Sequence, residues 1–159
     1  MVNSISEDEL IKNALTSAKT IAMVGVSSIK KEVSTNIKRR PSIIVMKYLQ
    51  EFGYRVIPVN PFSVGKEICG ETAVAQLGDI KIPIDIVNVF RPSTEAAEVA
   101  KQAVTIQAKV LWLQYGIQND EAEKISKSEN ITYVANKCIK QEYQRLFLKV
   151  SPVFPALKN

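Results

Sequence analysis

The stretch Thr20-Ile-Ala-Met-Val-Gly-Val26 decides the architecture. It is short, apolar and rich in β-branched residues, and it stops at a glycine turn. A run without polar alternation reads as a strand buried on both faces, the kind found in parallel sheets covered by helices. The polar segment 27–40 follows it. Pro41 then suits the first position of a helix, where its missing N–H costs nothing. Ile44, Val45, Tyr48, Leu49 and Phe52 recur at helical spacing, and Gly53 closes the segment.

The same alternation extends in both directions. Ser6 followed by Glu9 is a capping-box pattern that opens a helix over 7–17. Downstream, strands are expected over 54–59, 84–90, 109–113 and 131–135. Helices are expected over 94–107, from an Asn119 cap to about residue 128, and over 141–148. Residues 60–65 read as a loop, and Gly116 breaks the chain after the fourth strand. Connections of this length permit right-handed crossovers. The expected fold is therefore α/β: a doubly wound parallel β-sheet, Rossmann-like, in three layers α/β/α. The chain of 159 residues fits one domain, 1–159, with its core over 7–148 and a tail over 149–159 marked by Pro152 and Pro155.

Composition narrows the functional classes. Hydrophobic residues make up 46% and charged residues 23%, a globular balance. The apolar run 82–90 is interrupted by Pro83, Asp85 and Asn88, and no run approaches the roughly 20 residues of a membrane span. The acidic, polar start does not read as a secretory signal, so a cytoplasmic location is expected. The net charge of +5 suits a polyanion, either nucleic acid or a phosphorylated small molecule. Lys30, Lys31, Lys38, Arg39 and Arg40 concentrate that charge in one segment, which also reads as a solvated loop. There are two cysteines, Cys69 and Cys138, and no histidine. This excludes a Ser-His-Asp triad, a Cys-His pair, a phosphohistidine and a four-ligand Cys/His zinc site. Cys138, between Lys137 and Lys140, reads either as an inert buried thiol or as a reactive one.

Ligands of such sheets bind outside the carboxyl ends of the strands, where strand order reverses. Four segments end strands on that side: Gly25-Val26-Ser27-Ser28, Val59-Asn60-Pro61, Phe90-Arg91-Pro92-Ser93 and Gln114-Tyr115-Gly116. Gly25 allows close backbone approach, and the helix starting at Pro41-Ser42 offers N–H groups to a phosphate. A lone glycine also fits an ordinary βα turn. The dinucleotide fingerprint G-x-G-x-x-G is incomplete, with Ser27 and Lys30 where further glycines belong. The second strand ends without the carboxylate that holds an unphosphorylated ribose. Coenzyme A carries a 3′-phosphate on its ribose besides a pyrophosphate, so these ends suit it better than NAD.

Several segments in this order resemble the CoA-binding domain family. They are Ile21-Ala-Met-Val-Gly-Val-Ser27, Arg40-Pro-Ser42 with Tyr48-Leu49 and Gly53-Tyr54, and Val56-Ile-Pro-Val-Asn-Pro61. Gly65-Lys-Glu-Ile-Cys-Gly-Glu71, Asp85-Ile-Val-Asn-Val-Phe-Arg91, Leu111-Trp-Leu-Gln-Tyr-Gly116, and Asn136-Lys-Cys138 with Glu142-Tyr143 complete the set. The family is similar to the nucleotide-binding domain of the succinyl-CoA synthetase α subunit standing alone. The resemblance implies that Gly25, Val26, Ser27, Ser28 and Ser42 lie near the pyrophosphate. Asn60, Pro61 and Lys66 would flank the adenosine and its phosphate. Phe90, Arg91, Pro92 and Ser93 would cover adenine or the pantetheine arm, and Gln114, Tyr115 and Gly116 would border the thiol. The loop between Ser28 and Pro41 is longer than the family usual, so its basic residues receive no role.

The expected ligand is therefore CoA or an acyl-CoA, with no catalytic residue assigned. The alternatives are a CoA-dependent ligase or transferase component that needs a partner subunit, and an NAD(H)-binding protein. No helix-turn-helix segment remains to make the chain an NAD(H)-responsive regulator of DNA; direct nucleic-acid binding through the 30–40 loop, and a protein partner or homo-oligomer, stay open.

Overall fold

The computed structural model describes residues 5–26 and 41–148. Helix α1 (Glu7–Ser17) precedes strand β1 (Thr20–Val24), and helix α2 (Pro41–Glu51) leads to strand β2 (Arg55–Val59). Two short strands follow, β3 (Glu67–Ile68) and β4 (Glu71–Thr72). Strand β5 (Ile86–Val89), helix α3 (Ala96–Thr105), strand β6 (Val110–Leu113), helix α4 (Asp120–Ser128), strand β7 (Thr132–Val134) and helix α5 (Ile139–Tyr143) complete the order. Five parallel strands form one sheet in the order β2-β1-β5-β6-β7. With β3 and β4 set aside, this is the doubly wound order 2-1-3-4-5, and it reverses between β1 and β5.

The strands are apolar at both parities because both faces are covered. Ile21, Met23, Val56, Ile86, Val110 and Trp112 pack beneath α1, α2 and α5. Ala22, Val59, Val87, Val89, Leu111 and Leu113 pack beneath α3 and α4. The fold is thus the three-layer, Rossmann-like α/β arrangement that the alternation implies. Ser6 caps α1, its Oγ accepting from the Glu9 N–H at 3.1 Å. Asn119 caps α4, its Oδ1 accepting from the Ala122 N–H at 2.8 Å.

Two elements depart from expectation. The β2-to-β5 connection holds no α-helix. It carries 3-10 turns at Pro61–Ser63 and Leu77–Asp79 and the antiparallel β3–β4 hairpin, whose two-residue loop, Cys69-Gly70, has φ of 50° and 85°. Two-residue strands are too short to show a period, so only this loop's glycine marked the hairpin. The last helix starts at Ile139 rather than residue 141 and passes into a π-helical turn, Gln144–Leu148.

At the reversal point the chain is tight. The Gly25 N–H donates to the Val59 carbonyl at 2.9 Å, and the Phe90 N–H donates to the Val24 carbonyl at 2.8 Å. Gly25 has φ of 104°, and a Cβ there would stand 3.0 Å from both the Phe90 carbonyl oxygen and Arg91 Cδ. Further along, Gln114 is turned inward. Its Oε1 accepts from Asn88 Nδ2 at 3.2 Å and from the Ile139 N–H at 3.1 Å, joining β5, β6 and the start of α5.

These contacts set two stability predictions, both read from urea unfolding. Gly53 also has positive φ, 98°, but open space around it. Gly53→Ala should therefore cost about 1–2 kcal/mol, the left-handed backbone penalty alone. Gly25→Ala should cost about 2–5 kcal/mol, because overpacking against the Phe90 backbone adds to that penalty. Equal losses would show that the Phe90 contact yields freely. Gln114→Ala should cost about 1–3 kcal/mol, since it strands the Ile139 N–H and removes one acceptor from Asn88. An unchanged midpoint would mean that water replaces the amide.

Candidate functional site

The carboxyl ends of β1, β2 and β5 converge at the reversal point, and the residues just past them form a cleft. Asn60 organises its β2 side. This residue occupies the place where a ribose-binding carboxylate stands in NAD sites, yet it is only 8% exposed. Its Nδ2 donates to the Val26 carbonyl at 3.0 Å and its Oδ1 accepts from the Phe62 N–H at 2.8 Å. Its own N–H donates to the Val74 carbonyl at 2.8 Å. Asn60 therefore clamps the loop after β1 to the 3-10 turn after β2, with one N–H of its side-chain amide and its oxygen engaged inside the protein.

The cleft encloses about 840 Å³ between that turn and α3, the size class of small-molecule sites. Gly25, Asn60, Pro61 and Arg91 line it, as the strand-end reading implied. Val24, Val59 and Val99 give it an apolar floor. Phe62, Ala75, Gln76, Thr94, Glu95, Glu98 and Gln102 complete the lining, and none of these was singled out from sequence. Thr94, Glu95, Glu98 and Gln102 recur at helical spacing just after the β5 end, a usable signal. Phe62 follows Asn60-Pro61 directly. Gln76 comes from the connection whose hairpin was not foreseen.

Among the described residues, the charged groups lining the cleft are Arg91, Glu95 and Glu98. Arg91 donates from Nε and Nη2 to the two Glu95 carboxylate oxygens, each at 2.9 Å. The hydrogen bonds from Arg91 hold the Glu95 carboxyl below the usual carboxylate range, and Glu95 in turn raises the guanidinium. Both side chains are over 40% exposed, so solvent screens the pair and its contribution to stability is small. Among the described residues, three guanidinium N–H groups, two on Nη1 and one on Nη2, remain for an anion. Glu98 brings a second carboxylate from α3. The carboxylate missing from the end of β2 is thus supplied to the same cleft from another element.

The other expected residues are placed differently. Ser27 and Ser28, like Lys30, Lys31, Lys38, Arg39 and Arg40, lie outside the described residues. Val26 is fully buried, and Phe90 packs against the α1, α2 and α5 layer rather than in the cleft. Ser42 is buried in the first turn of α2. Lys66 is exposed and away from the cleft lining; its backbone joins Ser63 and Ala73. Ser93 pins the next loop, its Oγ accepting from the Gln118 N–H at 3.1 Å and its carbonyl from Asn119 Nδ2 at 3.0 Å. Pro92 is exposed beside it. Gln114 is buried in the network already described. Tyr115 is 75% exposed, and the Gly116 N–H donates to Asn136 Oδ1 at 2.7 Å. Both cysteines are free and half-buried, and burial pushes the Cys69 thiol up. Among the described residues there is no group of three or more His, Cys, Asp or Glu placed to hold a metal, and no helix is long and apolar enough to cross a membrane.

Comparisons with known proteins agree with this fold. The chain is 40% identical to the protein YneT of Bacillus subtilis over 130 residues, which is 82% of this chain and 89% of the relative. A solved structure from Thermus thermophilus superposes with a TM-score of 0.79 at 39% identity, covering 89% of this chain and all of that one. A hypothetical protein from Pyrococcus horikoshii matches with a TM-score of 0.79 at 36% identity, over 92% of this chain and 99% of that one. A dinucleotide-forming acetyl-coenzyme A synthetase from Ca. Korarchaeum cryptofilum shares the fold at 19% identity and a TM-score of 0.59, over 74% of this chain and 26% of its own length. A family model described as a CoA binding domain matches residues 19–144, from just before β1 to just past α5. The chain belongs to the CoA-binding domain family.

Proposed function

We propose that this protein binds coenzyme A or an acyl-CoA in the cleft at the carboxyl edge of the sheet and acts as a binding module without catalytic residues of its own. The observation that carries the reading is Arg91. It is the one cation lining the cleft among the described residues, it lies at the strand-order reversal, and it keeps donors to spare. Membership of the CoA-binding domain family supports the choice of ligand. The absence of histidine rules out a phosphohistidine intermediate on this chain. A ligase or transferase would require a partner subunit, so acyl-CoA formation by a co-purified pair is the result that would favour that alternative.

Glu98 favours a second reading. A carboxylate in the cleft suits the hydroxyls of an unphosphorylated ribose, as in NAD(H). The two ligands separate cleanly by titration calorimetry. CoA should bind, and Arg91→Ala should weaken it by roughly 10-fold, the low end for a charge-assisted hydrogen bond at a partly exposed site. Lys66→Ala should change it little. The affinity should fall as salt rises, because the site is open to screening. Binding of NAD without CoA, or CoA affinity indifferent to Arg91, would overturn the reading.

A further inference from the structure

Phe62 is 89% exposed, more than any other large apolar side chain among the described residues; Tyr115 follows at 75%. Leaving a phenyl ring in water forgoes the roughly 1.5–3 kcal/mol that burial of such a side chain yields. The backbone beneath it is nonetheless held firmly. Its N–H is bonded to Asn60 Oδ1 at 2.8 Å, the Ser63 N–H donates to the Asn60 carbonyl at 3.0 Å, and Ser63 is 4% exposed. Asn60 in turn is tied to Val26 and Val74. A rigid turn thus presents an unpacked aromatic ring at the edge of a cleft that contains Gly25 and Arg91.

The cleft around the ring has the parts that a planar heterocycle needs. Val24, Val59 and Val99 form an apolar floor, while Gln76, Glu98 and Gln102 supply amide and carboxylate groups for polar ring edges. Arg91 supplies a cation for an attached phosphate. We infer that Phe62 is the stacking platform for the purine base of the bound nucleotide, and that it contributes to affinity through the ring face rather than through charge. This deepens the CoA reading and rests on it for the identity of the nucleotide. Base–aromatic stacking is worth about 1–3 kcal/mol by alanine substitution, so Phe62→Ala should weaken binding roughly 5- to 150-fold.

The test uses CoA and adenosine 3′,5′-bisphosphate, which keeps the base and phosphates and lacks the pantetheine arm. Wild type, Phe62→Ala and Phe62→Trp are titrated with both, and the thermal midpoint of each unliganded variant is measured. The expected result is a loss for Phe62→Ala with both ligands, recovery by Phe62→Trp, and midpoints unchanged because the ring is 89% exposed. Phe62→Trp should also show quenched indole emission on binding, against a constant background from the buried Trp112. Equal affinity of wild type and Phe62→Ala overturns the inference while the CoA reading stands. A loss that tracks a lowered midpoint and is not recovered by tryptophan overturns it too. Phe62-dependent binding of the bisphosphate with no binding of CoA upholds the base site and overturns the CoA reading. Failure of wild type to bind either ligand overturns both.

Discussion

The structure turns on the close passage of β1 past the chain that leaves β5. Gly25 bonds to Val59 on one side while Phe90 bonds to Val24 on the other. The space between is too narrow for a side chain, with the Phe90 carbonyl 3.0 Å from where a Cβ would sit. This contact brings three strand ends together at the reversal of the sheet, and the cleft exists because they diverge from that point. Gly25 is a glycine for reasons of chain packing before any ligand arrives. A strand-end glycine is therefore a weaker indicator of phosphate contact than its position suggests.

Polar groups at the sheet edge divide their labour. Asn60 and Gln114 look like ligand-binding amides from their places after β2 and β6, yet each has its side-chain oxygen bonded within the protein, and Asn60 also donates one N–H there. Buried amides left unpaired cost more than they return, so these residues fix the loops. The cleft itself is furnished by residues with free groups on α3 and on the turn after β2.

The electrostatic character of the cleft follows from the same arrangement. Arg91 and Glu95 are four residues apart and pair across the 3-10 turn that precedes α3. Such a pair keeps the guanidinium oriented at little energetic gain, since both groups are exposed. With Glu98 added, the described part of the cleft is not strongly basic. An anionic ligand there would rely on directed donors and on contacts to its uncharged parts, more than on bulk charge.

The sequence alone determined the layers. Apolar runs at both parities in Ile21–Val24 and Leu111–Leu113 require helices on both faces of a parallel sheet, and capping residues such as Ser6 and Asn119 locate helix starts by local hydrogen bonding. These are short-range effects, legible one segment at a time. It also identified Gly25, Asn60, Pro61 and Arg91 as residues of one sheet edge, because chain direction puts every strand's carboxyl end on the same side. Tertiary structure decided which side chains on that edge face the cleft. Phe90 and Arg91 are neighbours in sequence, but strand alternation sends one into the core layer and the other into the cleft. The hairpin that delivers Gln76 has strands too short to show periodicity, and the approach of α3 that delivers Glu98 depends on helix packing across the sheet. Such placements arise from contacts between segments distant in the chain, and no local pattern encodes them.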